Sequence, residues 1–191
     1  MTKILILLFS LHLSSCGIQS IPKSVNEVEA KWAEVLNQYK RRSDLIPSLV
    51  STVKGYTAHE KETLTAVIQA RANATKTQIN FDKLNGETLQ QFQKAQGALS
   101  SALSRLMVTV EKYPALKANE NFLSLQNQLE GTENRISVAR KRYIESIKEF
   151  NNLITVPPTS FTNSLFYHHD KKPQFSVENV EEIQKAPAVN F

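Results

Sequence analysis

Apolar residues recur in alternating steps of three and four through Val25, Val28, Trp32, Val35, Tyr39, Ile46, Leu49, Val53 and Tyr56. A repeat of about 3.5 residues is the seam of a helix packed in a left-handed bundle. One seam position, Arg42, is polar. Ser24 and Glu27 have the spacing of a capping box, and Gly55 suits a helix end. A second capping box is read at Thr57-Ala58-His59-Glu60, opening a shorter helix through Leu64, Val67, Ile68 and Arg71 that fades near Ala74. Two helices or one kinked rod both fit this stretch. Asn85-Gly86 marks a turn.

The third seam is Leu89, Phe92, Gln96, Leu99, Leu103, Leu106, Val110 and Tyr113, stopped by Pro114 and flanked by Ala95, Gly97, Ala98 and Ala102, small enough for close helix approach. Asn119 is placed to cap a fourth helix through Phe122, Leu125, Leu129, Thr132, Ile136, Ala139, Tyr143, Ser146, Phe150 and Leu153, ended by Pro157-Pro158. Gly131 within it costs about 1 kcal/mol relative to alanine and suggests close packing or a bend. The pattern predicts an all-α fold: an antiparallel four-helix bundle of long amphipathic helices over 24–156, then an irregular, extended tail over 157–191. Phe161, Leu165, Phe166, Tyr167 and Phe175 in the tail follow no period, so they are expected either to dock on the bundle or to meet a partner.

Composition changes this picture little. The chain has 191 residues, 41% of them hydrophobic, and only 5 glycines and 7 prolines, which leaves long tracts free for helices. Pro47 lies inside the first seam, cannot bond the Ser43 carbonyl and is expected to kink its helix. A net charge of +5, with 18 acidic among 23 basic residues, falls short of a nucleic-acid footprint.

The N-terminus changes it more. Residues 1–16 combine an early lysine, an apolar run of about ten residues and then Leu13-Ser14-Ser15-Cys16. Such a run is shorter than the roughly 20 residues a spanning helix needs, but it suits a signal peptide. Its end resembles a bacterial lipobox. That resemblance implies cleavage before Cys16 and lipidation of Cys16, anchoring the chain on the periplasmic or extracellular side of a membrane, with Gly17 favouring the outer membrane. Residues 17–23 would then be a short tether reaching at most roughly 25 Å when extended.

Two stretches carry a family resemblance. Arg41-Arg42-Ser43-Asp44-Leu45-Ile46-Pro47-Ser48-Leu49-Val50, continued by Val53-Lys54-Gly55-Tyr56 and His59-Glu60-Lys61-Glu62, resembles the first signature of the LemA family. Tyr113-Pro114-Ala115-Leu116-Lys117-Ala118-Asn119-Glu120-Asn121-Phe122, with Leu129-Glu130-Gly131-Thr132-Glu133-Asn134-Arg135-Ile136, resembles the second. Pro187-Ala188-Val189-Asn190-Phe191 is similar to the family's usual end. The resemblance implies a helical bundle held at a membrane and no agreed reaction. Typical members have a longer apolar N-terminus and a bundle on the cytoplasmic side, an alternative topology from which the Cys16 motif departs.

Candidate chemistry is sparse. His59-Glu60 lacks the second histidine of a zinc-protease helix, which would fall at Thr63, and no Glu-x-x-His pair is present for a di-iron bundle. His168-His169 beside Asp170 reads as a solvated loop. There is no Gly-x-Ser-x-Gly elbow and no glycine-rich phosphate loop. The sequence therefore predicts no catalytic residue, metal, cofactor or small-molecule substrate. Lys40, Arg41 and Arg42, and Arg140 and Arg142 around Lys141, are basic clusters. They are read either as solvated helix faces or as contacts for anionic headgroups or an acidic partner. Arg42 is expected to be buried or half-buried and met by Asp44 or a carboxylate within 130–133, because an unpaired buried charge is too costly. With Phe161, Phe166, Tyr167 and Phe191, these residues are the candidate contacts of an envelope protein partner. The rival readings are a membrane-organising element without a dedicated protein partner and, more remotely, a hydrolase.

Overall fold

The computed structural model describes the backbone of residues 2–57, 60–77 and 79–175, and side chains from residue 18 onward within those spans. Its helices are α1 (Thr2–Lys54), α2 (Lys61–Lys76), α3 (Gly86–Val110), the short α4 (Pro114–Lys117), α5 (Glu120–Thr155) and the short α6 (Thr159–Thr162). A 3-10 turn over Phe81–Lys83 precedes α3, and a π-type turn over Asn163–Tyr167 follows α6. No strand occurs among the described residues. The chain is all-helical.

Side-chain pairs give the helix directions. Glu34 meets Arg142, Arg42 meets Glu133 and Tyr56 meets Asn119, so α5 runs antiparallel along α1. Ser43 meets Thr75, which sets α2 antiparallel to α1, while Tyr39 against Phe92 and Arg42 against Ser100 set α3 parallel to it.

The caps correct two expectations, support one and add one. Asn119 Oδ1 accepts from the Phe122 amide at 3.0 Å, opening α5 as its sequence implies. Asn85, read as part of a turn, also caps α3: its side chain and that of Thr88 bond each other's amides, both at 2.9 Å. Ser24 and Glu27 cap nothing, because α1 is already helical across the segment expected to be an extended tether. Burial accounts for this: Ile21 is fully enclosed in the core and recruits the segment into the helix. Thr57 does not cap α2 either. Its hydroxyl donates to the Val53 carbonyl at 3.0 Å and closes the end of α1, and Glu60 takes the N-cap position. Ala58 and His59 lie outside the described residues. The break between Lys54 and Lys61 makes α1 and α2 separate helices.

Both prolines inside α1 leave a carbonyl without its helical amide, and another element supplies a donor to each. Arg71 Nε of α2 donates to Ser43 O at 2.8 Å, across from Pro47. The Tyr167 hydroxyl donates to Ile18 O at 2.7 Å, across from Pro22. Tyr167→Phe should therefore cost about 0.5–1.5 kcal/mol and speed amide hydrogen exchange at the Ile18 end of α1, leaving the Lys54 end unchanged. Uniform exchange along α1 in the variant would contradict this assignment.

The tail is not extended over its first residues, its aromatics dock in part as one of the two expectations had it, and residues 176–191 lie outside the described residues. Residues 159–167 are helical, and Phe175 is buried against Trp32 and Tyr143, with ring centroids 6.1 and 5.5 Å away. Phe191 lies outside the described residues. Of the seam positions, Ile68 is exposed, as is Tyr56, and Ile154 rather than Leu153 is buried. Gly131 has no tight neighbour, since an added Cβ would reach only the Arg135 guanidinium at 3.7 Å.

The core falls into two apolar halves. One gathers Trp32, Tyr39, Phe92, Tyr143, Phe150 and Phe175 with their aliphatic neighbours, and the other gathers Ile46, Leu49, Val67, Leu99, Leu106 and Phe122 with theirs. The polar seam residues lie between them.

Candidate functional site

Arg42 is 1% exposed, and every long helix contributes to the polar layer around it. Its Nη1 donates to Glu133 Oε1 at 2.6 Å and to Ser100 Oγ at 2.8 Å. Its Nη2 donates to Gln96 Oε1 at 2.6 Å and to Gln96 O at 3.3 Å. Gln96 Nε2 in turn donates to Ala74 O of α2 at 3.4 Å, and the Ser43 and Thr75 hydroxyls meet at 3.1 Å. The Tyr39 ring lies 5.0 Å from the guanidinium carbon. Buried charge is tolerated here because a carboxylate, a hydroxyl and an amide surround it. Arg42 Nε has no protein acceptor.

The expected carboxylate is Glu133. Asp44, the other candidate, pairs instead with Lys40 at 2.7 Å on the surface. Glu133 is unlike Arg42 in exposure, with 47% of its side chain open to solvent. Water thus reaches one end of the pair, whereas the guanidinium is enclosed.

Above this layer α3 and α5 face each other across a groove of about 450 Å³. Gln93, Gly97 and Ser100 line one wall, Ile136, Arg140 and Ile144 the other, and Tyr39 and Arg42 of α1 also border it. Phe175 closes one side. The Arg140 guanidinium lies 4.5 Å over the Phe175 ring. Burial raises the Tyr39 pKa above the ordinary tyrosine value, opposed by the Arg140 and Arg42 charges. Burial alone pushes the Tyr143 hydroxyl well above that range. A second hollow of about 360 Å³ continues along α3 and α5, sharing Ser100 and Glu133 with the first.

The two basic clusters are divided rather than joined. Lys40 is paired with Asp44, Arg41 is exposed beside Glu120 and Arg135, and Arg42 turns into the core. Arg142 reaches Glu34 at 2.7 Å, Lys141 lies 4.0 Å from Glu145, and Arg140 enters the groove. Of the tail aromatics, Tyr167 is a tie to α1, whereas Phe161 and Phe166 are 71% and 63% exposed. Leu165 and Val156 are exposed at the same end of the molecule, which also carries exposed Ile18. His168 and His169 separate: His168 takes a left-handed backbone (φ 54°), while His169 stacks on Tyr167 and packs edge-on against Phe150. His169 is thus a packing residue and not part of a solvated loop. The side chain of Cys16 lies outside the described residues.

Sequence reasoning missed Gln96 as the partner of Arg42, although a signal existed. Arg42, Gln96 and Thr132 are polar residues at seam positions of three different helices, and such breaks in apolar seams belong at one depth. It also missed the division between Arg140 and Arg142, because adjacent basic letters do not reveal which lies over an aromatic ring.

Fold and site together define a class: an all-helical protein whose two apolar halves are joined through a buried arginine layer. The LemA family model matches residues 31–191, and the chain belongs to that family. Protein LemA of Metamycoplasma hominis is 26% identical over 130 residues, covering 68% of this chain and 55% of the relative. The chain therefore matches just over half of that relative's length. Among the described residues, no helix is long and apolar enough to cross a membrane.

Proposed function

We propose that this LemA-family chain is a lipid-anchored, non-catalytic scaffold, a four-helix bundle held at the bacterial cell envelope that binds other envelope proteins. The observation that carries the reading is the exposed apolar end formed by Phe161, Leu165, Phe166, Val156 and Ile18. Tyr167 fastens this end to the Ile18 carbonyl of α1, two residues from Cys16 in the chain. Aromatic and aliphatic side chains left in water beside a lipid attachment point suit an interfacial contact. The anchor would be acyl chains on Cys16 following a signal peptide over 1–16. The flanks, with Arg41 and its neighbours, would face outward to partner proteins.

The rival is a membrane-organising element that touches lipid alone. Photo-cross-linkers at Phe166 and, separately, at Arg41 and Val138 distinguish the two in intact cells. The scaffold predicts lipid adducts from Phe166 and one discrete protein adduct from a flank position. Lipid adducts or none from every flank position would overturn the scaffold and favour the rival.

A further inference from the structure

We infer that the groove between α3 and α5 is a binding site for an apolar monocarboxylate, received by Arg140. Three observations converge there. First, Arg140 has no carboxylate within ion-pair distance among the described residues, although its neighbours Lys141 and Arg142 each have one. Its guanidinium lies instead over the Phe175 face, at 4.5 Å from the ring centroid. A guanidinium stacked on a ring keeps its edge donors available, and that planar edge matches a carboxylate in a bidentate pair.

Second, the space is of ligand size. About 450 Å³ lies within the range of small-molecule sites, and Ile136, Ile144 and Phe175 offer an apolar body its contacts. Gly97 leaves one wall open, since a Cβ there would meet nothing from neighbouring elements within 4 Å. Third, the charge pattern selects a single negative charge. Glu133 is already held by Arg42 and would repel a second anionic group near Ser100, which disfavours phosphates and dicarboxylates. Arg42 Nε in the same lining is a further buried donor without a protein acceptor.

The same chemistry is carried by a fatty acid and by the free C-terminus of a peptide ending in an apolar residue. The single tryptophan, Trp32, reports on the site because its ring lies 6.1 Å from that of Phe175. The full chain is titrated with octanoate and with N-acetyl-alanyl-leucine, following Trp32 emission and heat of binding. Octanol and N-acetyl-alanyl-leucinamide are the neutral controls. At least one acid should bind saturably in the submillimolar range while its neutral counterpart does not, and the acid that binds identifies the source. Arg140→Gln should weaken binding about tenfold or more. Gly97→Leu should block the groove while leaving the helix intact, and it carries the test if Arg140→Gln fails to fold. Neither acid binding, a neutral control binding as well as its acid, or Gly97→Leu binding like the wild type would each overturn the proposal.

Discussion

Glu133→Ala is expected to destabilise the fold by about 2–3 kcal/mol, more than Arg42→Leu, although Glu133 is by far the more exposed partner. The asymmetry follows from what each change leaves behind. Without Glu133, an enclosed guanidinium retains only Ser100, Gln96 and the Tyr39 ring, none of them charged. Without Arg42, Glu133 turns into water at little cost, and a leucine joins the two apolar halves. The loss is then about 1 kcal/mol, mainly from the Gln96 amide oxygen left unbonded. The double variant should resemble Arg42→Leu alone, because removing the cation removes the penalty for removing its partner. Urea unfolding of the four proteins of this cycle checks the order. Additive losses, or a larger loss for Arg42→Leu, would contradict the buried-cation account.

Trp32→Ala should be more damaging still, at about 3–5 kcal/mol. Trp32 is 1% exposed and touches Phe92, Tyr143 and Phe175, with ring centroids 5.5, 5.3 and 6.1 Å away. Its Nε1 donates to Ile79 O at 3.0 Å, which ties the connection after α2 to α1. Truncation removes the largest ring of the core and leaves a buried carbonyl without a donor. Trp32→Phe separates the two contributions, since it keeps most of the packing and loses the hydrogen bond, and about 1–2 kcal/mol is expected for it. Thermal unfolding followed by circular dichroism measures both. Equal losses for the two variants would mean that the hydrogen bond, and not the packing, dominates.

The helices were legible because their signals are local and repeated. Seam spacing, the Asn119 cap and the Pro157-Pro158 stop each act within a turn or two, and α3 and α5 follow them to within a few residues. Ser24-Glu27 shows where local signals fail. A capping box describes a helix start only if the preceding residues leave the helix, and burial of Ile21 holds them in it. The Tyr167 and Arg71 bonds to α1 carbonyls were not legible, because a proline reveals which carbonyl is freed but not what will come to it. The site followed the same division. The demand for a carboxylate at Arg42 comes from the cost of burying charge, and it was readable from a single off-pattern seam residue. The groove was not readable, because Tyr39, Gly97, Arg140 and Phe175 come from three helices and the tail, and only folding brings them together.

The proposed anchor at Cys16 is the claim on which the scaffold reading depends, because it would set the exposed end of Phe161, Leu165 and Phe166 against a membrane. Fractionation of cells producing the wild type or Cys16→Ala tests it directly. The wild type should sediment with membranes, and Cys16→Ala should be released or accumulate as an uncleaved precursor. Equal membrane retention of both proteins at the same mass would contradict the account.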